Sequence, residues 1–290
     1  MIGRASGAGD HRGCAAPARA AGAWGVRQPR AWAAVMAAAA LALVLGGPGG
    51  PLSAVGEEAP PWPGVFQVIT TTPEGRGIAR GTAFFIDPSG LALTNSHVVY
   101  HAQHDPDSYV LFAIVNKEFY GVEIVCASHL DTDPAEAQEG PVGRDLAEIR
   151  LTLPDRKYAW WLIATPGAQS PDGQPNFDVA PHTGSLPYFP FFTLGDGPRE
   201  RGQVRVVGYG RISKAAEKIV ATGTVTKMAT AEDGTPVFEI ESADRPERGI
   251  SGSPVLNDQD RVVGIYTWNE PKSDIAGIAI SSAALAAPCP

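Results

Sequence analysis

Three short stretches of this 290-residue chain set reactive side chains in surroundings that could put them to work. Ser251 lies in Gly249-Ile250-Ser251-Gly252-Ser253-Pro254. A hydroxyl is a poor nucleophile. It needs a base to take its proton and donors to receive the anion that its attack creates. Glycines around a serine let the backbone turn tightly enough to aim two N–H groups, those of Gly249 and Ser251, at one point. His97 lies in Thr94-Asn95-Ser96-His97-Val98-Val99, directly after the strand-like run GLAL (90–93), which places an imidazole at a strand end, partly exposed. Asp145 opens Asp145-Leu146-Ala147, after a loop and before a short apolar run. A carboxylate there can hold an imidazole in one tautomer and stabilise its charged form. Taken singly, each has a plainer reading: a Gly/Ser turn, an exposed histidine, a loop aspartate that starts a strand.

Short strands have to position these groups. VFQVITT (65–71), GTAFFID (81–87), GLALTN (90–95), YVLFAIV (109–115) and YGVEIVCAS (120–128) are rich in β-branched and aromatic residues. Turn residues break them, Pro88-Ser89-Gly90 reading as a hairpin turn. The later half repeats the habit in QVRVVGYG (203–210), KIVATGTVTKM (218–228), PVFEIES (236–242), RVVGIYTW (261–268) and AGIAIS (276–281). Long helical periodicity is missing, and 33 glycines with 26 prolines fit many turns. The pattern predicts an all-β barrel or sandwich, with a loop-rich break at 166–190 that divides it into two halves.

Residues 1–54 read as a leader. Arg4, Arg12, Arg19, Arg27 and Arg30 precede an apolar run from Ala31 to Leu45, and small residues follow to Ser53-Ala54. That order predicts an export signal and a secreted or periplasmic product. The alternative is a retained signal-anchor, which would tie the chain to a membrane, although the run is short of the roughly 20 apolar residues a span needs. Residues 55–64 read as an exposed lead-in. The net charge of −8 becomes more negative once the arginine-rich leader is set aside, which argues against nucleic acid or anionic lipid as partners. Cys126 and Cys289 remain beyond the leader, and an exported protein can pair them, but spacing does not decide it. Cys126 otherwise reads as a small buried residue, Trp160-Trp161 as packing, and the acidic stretch 131–143 as a solvated loop.

TNSHVV, then DLA, then GISGSPV followed by VVGIYTW, in that order, resembles the trypsin-like serine proteases, in particular the V8-like glutamyl endopeptidases and HtrA-type protease domains of bacteria. The resemblance spans about residues 65–285. It implies two packed six-stranded antiparallel β-barrels, the first over about 65–165 and the second over about 185–285, within a peptidase domain at 65–290. The active site would lie in the cleft between them. It implies a serine endopeptidase with His97, Asp145 and Ser251 as triad, Gly249 and Ser251 N–H groups as oxyanion hole, and Thr267-Trp268-Asn269 as the edge that pairs with a polypeptide substrate and borders the primary pocket. AGIAIS (276–281) would line the pocket's other wall. No cofactor is implied.

Some residues depart from the pattern. Ile250 replaces the acid or amide found before the serine in many relatives, so no switch that pairs a new N-terminal ammonium with that position is expected. Arg245 stands near the place of the trypsin-type pocket acid and argues against Lys/Arg specificity, while Glu247 and Arg248 flank the oxyanion turn. Tyr266 and Thr267 stand where glutamyl endopeptidases carry a histidine. Glu148 replaces an apolar residue and reads as a solvent-facing strand position. Two rival readings exist. One is a catalytically silent peptide-binding module on the same fold. The other is a metal site from His97, His101, His104 and Asp105, which lacks the glutamate of the H-E-x-x-H pattern and is the poorer account; no metal is expected. Oligomeric state does not follow from the sequence.

Overall fold

The strand Val65–Thr71 (β1) is buried at all seven of its positions. A barrel wall with water on its outer side would bury only alternate residues, so something covers β1 outside as well as inside. The computed structural model, described over residues 62–73, 77–130, 143–155, 179–210, 218–242, 249–269 and 276–288, shows what that is.

β1 pairs with β2 (Gly77–Phe85) and with β4 (Val110–Val115). The sheet continues through β3 (Leu91–Thr94) and β6 (Ala147–Thr152) to β5 (Glu118–Ala127), and β4 pairs with β5 to close it. A helix, α1 (Ser96–His104), follows β3. The two-residue β7 (Ala180–Pro181) adds to β5 in parallel. A second set forms another closed barrel: β8 (Gln203–Tyr209), β9 (Lys218–Thr230), β10 (Pro236–Ser242), β11 (Pro254–Leu256), β12 (Val262–Asn269) and β13 (Ala276–Ser281). Its order is β10-β13-β12-β11-β8-β9. A single turn, α2 (Ser282–Leu285), ends the described chain. Two closed six-stranded antiparallel barrels are the chymotrypsin-like, all-β architecture implied by the sequence.

Alternation along each strand sorts the apolar side chains into four clusters, the smallest of them Ile69, Phe112, Ile114 and Phe119. Phe66, Val68, Ala83, Phe85 and Ala92 point into the first barrel. Val206, Phe238, Ile240, Val263 and Ala279 fill the second. Their neighbours Val65, Phe84 and Leu93 face outwards from the first barrel and meet Val207, Leu256, Ile265 and Ile280 from the second. Each such fully buried side chain contributes about 1.5–3 kcal/mol. This shared layer covers Val65 on the outer side of β1 and packs one barrel against the other, while Ile69 on the same side is covered by Phe112, Ile114 and Phe119.

The helix α1 corrects the expectation of a strand end and turn around His97. Val98, Val99 and Ala102 are buried against the first barrel's core, a spacing of one helical face. Two adjacent valines read as strand in isolation; packing on the barrel overrides their propensity. Cys126 is half-exposed and disulfide-bonded, not a buried free thiol. Glu148 lies half-buried on the outward face of β6. The leader 1–54, lead-in residues 55–61, the acidic stretch 131–142, Trp160-Trp161, Arg245, Glu247, Arg248 and Cys289 lie outside the described residues.

Candidate active site

His97 is the second residue of α1, where a helix N–H has no partner within the helix. That N–H donates to Asp145 Oδ1 at 2.9 Å, and the ring's Nδ1 lies 2.6 Å from Asp145 Oδ2. Each oxygen of one carboxylate therefore holds one donor of the same histidine. Asp145 is completely buried, and the ring of His97 is partly open. With Nδ1–H given to the carboxylate, Nε2 keeps its lone pair free to accept a proton.

The chain around Asp145 is fastened at several points. Ser96 Oγ bonds the carbonyl oxygen of Leu146 at 2.7 Å and that of Ser128 at 3.0 Å. Asn95, the residue before α1, does not cap the helix with its side chain. Its Nδ2 instead donates to the Asp145 carbonyl oxygen at 2.7 Å and to Thr267 Oγ1, in the second barrel, at 3.2 Å.

Ser251 comes from the second barrel, in the turn before β11. Gly249 and Gly252 both have positive φ, +101° and +85°, a region open to glycine at little cost. At Gly252 a Cβ would also overlap the carbonyl of Thr82 from the first barrel. Thr82 is the turn's clamp. Its N–H donates to Ser251 O at 2.8 Å, its hydroxyl donates to Gly249 O at 3.1 Å, and the same hydroxyl accepts from Tyr209 N–H at 3.0 Å. Ile250 is buried in the core of the second barrel. Among the described residues the N–H groups of Gly249 and Ser251 have no hydrogen-bond partner. The Ser251 hydroxyl donates to the carbonyl oxygen of Thr267 at 3.1 Å, where the sequence led us to expect His97 as its partner.

Thr267 is the extra residue of a bulge in β12: Tyr266 faces Ala279 and Trp268 faces Ile278. Bulges re-aim a backbone group locally, and this one turns the Thr267 carbonyl to Ser251. β11 pairs with β12 only from Val262 to Ile265, so Trp268 and Asn269 pair with β13 on one side, at Ile278 and Gly277, and with no strand on the other among the described residues. His101 and His104 follow on α1, but His104 Nδ1 bonds the Tyr100 carbonyl at 2.9 Å. Among the described residues no group of three or more His, Cys, Asp or Glu side chains could hold a metal ion. Sequence reasoning missed Asn95 as a bridge and Thr82 as a clamp. Both stand in stretches it singled out, yet nothing local marks a contact across two barrels.

Paired antiparallel barrels with a histidine–carboxylate pair on one and a glycine-bracketed serine on the other define a chymotrypsin-fold peptidase. The chain matches the family model of the trypsin-like peptidase domain over residues 81–265. It belongs to that family, and its class is serine endopeptidase. No curated protein sequence matches it. Among solved structures it is similar to the serine endoprotease from Yersinia pestis, at 16% identity and a TM-score of 0.50, covering 78% of this chain and 61% of that one. It is also similar to the active form of the Rv3671c protease from M. tuberculosis, at 16% identity and a TM-score of 0.49, covering 78% of each chain. At such identity the likeness concerns the fold.

Proposed function

We propose that this chain cleaves polypeptides through an acyl-enzyme on Ser251, with His97 as base and acid and Asp145 as its orienting partner. The observation that carries this reading is the two-point hold of Asp145 on His97, at 2.9 and 2.6 Å. It leaves Nε2 as the ring's only basic atom. Ser251 Oγ leaves Thr267 O, gives its proton to Nε2 and attacks the scissile carbonyl carbon. The Gly249 and Ser251 N–H groups receive the oxyanion. His97 passes the proton to the leaving amine as the C–N bond breaks. Water then attacks the ester, again with His97 as base, and releases the acid and Ser251. The substrate backbone pairs with the edge at Thr267-Trp268-Asn269. The leader reading makes the enzyme exported or membrane-anchored, and a disulfide at Cys126 supports an oxidising compartment.

Labelling with a fluorophosphonate probe tests the chemistry, because the probe needs both an activated serine and formed oxyanion donors. Wild type labels and Ser251→Ala does not. A wild-type protein that never labels would instead favour a silent peptide-binding module.

A further inference from the structure

Tyr266 is tied to the nucleophile turn from both sides. Its N–H donates to Ser253 O at 2.8 Å, and its carbonyl accepts from Gly252 N–H at 2.8 Å. Its side chain is 1% exposed and packs in one cluster with Ile250, Ile240 and Ala279. The ring lies across Gly277 of β13, so close that a Cβ at Gly277 would overlap both ring and hydroxyl. The cavity that remains beside them, bounded by Ile240 and Ser242, measures about 10 Å³. That is room for about one water molecule and no more. The wall formed by β12 and β13 next to Ser251 is therefore filled by a tyrosine that only a glycine opposite allows to lie there.

We propose that Tyr266 determines specificity by occupying the space a large substrate side chain would need, so that cleavage follows small residues such as glycine, alanine or serine. The inference rests on the reaction proposed above. On this proposal a substrate strand on the 267–269 edge brings the side chain on the acyl side of its scissile bond to this wall. A bulky group arriving there must displace a buried ring that is backed by strand β13. Pockets of fixed depth discriminate by roughly 10- to 200-fold per methylene.

The test compares the full chain with Tyr266→Val, Tyr266→Gly and Tyr266→Phe on fluorogenic tetrapeptides that differ only at the residue before the cleaved bond: Ala, Val, Leu or Phe. Fluorophosphonate labelling counts active sites in each sample. In wild type, kcat/KM for Ala exceeds that for Phe by about 100-fold or more. Tyr266→Phe keeps this order, because it keeps the ring. Tyr266→Val and Tyr266→Gly reduce the Ala-to-Phe ratio at least about tenfold while still labelling. A wild-type enzyme that labels yet cleaves after Phe or Leu as readily as after Ala overturns the inference and leaves the triad standing. So does a Tyr266→Val protein that labels with an unchanged ratio. Absence of labelling in wild type removes both readings together.

Discussion

The amide of Asn95 joins the two barrels at the site: its Nδ2 donates to the Thr267 hydroxyl at 3.2 Å while also donating to the Asp145 carbonyl at 2.7 Å. Thr267 in turn holds the Ser251 hydroxyl on its carbonyl. A single fully buried side chain thus touches the residue that holds the Ser251 hydroxyl and the main chain of Asp145, and it immediately precedes the helix that carries His97. Its Oδ1 is buried with no hydrogen-bond partner among the described residues, which costs about 1–3 kcal/mol. The amide is held by its donor end alone, which is what a spacer between two acceptors requires.

Asn95→Ala should therefore lower kcat more than it raises KM. Loss of both donors leaves two buried acceptors unpaired and lets Asp145 and Thr267 drift, and small misplacements at a reacting centre cost roughly 10- to 100-fold. Steady-state kinetics on one peptide substrate, with a urea melt to confirm folding, measure this. A folded Asn95→Ala enzyme with unchanged kcat would show that the bridge contributes only stability.

Asp145→Asn keeps the volume and reverses the logic. One carboxylate oxygen becomes an NH2 group, which only donates, so the side chain can no longer accept from both the His97 N–H and Nδ1–H. The ring is pushed to the tautomer whose Nε2 carries the proton and can no longer take one from Ser251. A fall in kcat of about 10⁴-fold is expected, with Ser251 labelling slowed in parallel. A loss below about tenfold would place the base elsewhere.

Much of this was legible in the strand pattern. VFQVITT and PVFEIES are β1 and β10 to the residue, because runs of β-branched residues between turns have few other solutions. Ser251, with glycines on both sides, was legible for the same local reason. The site's fastenings were not. Asn95 to Thr267 and Thr82 to Gly249 connect positions 172 and 167 residues apart, and no local propensity encodes a contact between barrels. The helix at His97 was hidden because Val98 and Val99 favour strand and only burial on the first barrel turns them into a helical face. Tyr266 and Gly277 were visible as residues, but their overlap depends on the register of β12 and β13 and the bulge at Thr267.

Thr82→Val tests the clamp on the turn that carries Ser251. Valine matches threonine in shape and removes one hydroxyl. The Tyr209 N–H is then left buried without its acceptor and Gly249 O without its donor, at a cost of about 1–3 kcal/mol per orphaned group. Denaturant unfolding should show a loss of that order. Because Gly249 is one of the two proposed oxyanion donors, kcat should also fall, by up to the roughly 100-fold attached to one such donor. Full activity in a destabilised Thr82→Val protein would mean that the turn holds its shape without the hydroxyl.

The segment after β7 is held by a cluster that responds to pH. Tyr120 Oη donates to Glu118 Oε2 at 2.9 Å, His182 Nδ1 lies 3.0 Å from that oxygen and 3.1 Å from Tyr120 Oη, and His182 Nε2 lies 3.0 Å from Ser185 O. A ring with acceptors at both nitrogens is held in its charged form. The Ser185 carbonyl first, and Glu118 after it, raise the His182 pKa above 6.5. The bond from His182 first, and the one from Tyr120 besides, lower that of Glu118 below 4.5. Burial, with Glu118 beside it, raises that of Tyr120, which stays neutral throughout. A raised histidine stabilises fully below 6.5 and loses its effect as pH climbs through its folded value. A lowered glutamate stabilises fully above 4.5 and loses its effect as pH falls through its own. The cluster is therefore strongest between about pH 4.5 and 6.5. Hydrogen exchange at the amides of Ala180 and His182, which donate to Lys117 O and Phe119 O, reads it directly. Corrected for intrinsic rates, protection should be greater at about pH 5.5 than at about pH 8, and His182→Gln should flatten the difference. Equal protection at both pH values in wild type would show that the strand pairing of β7 holds the segment without the charge.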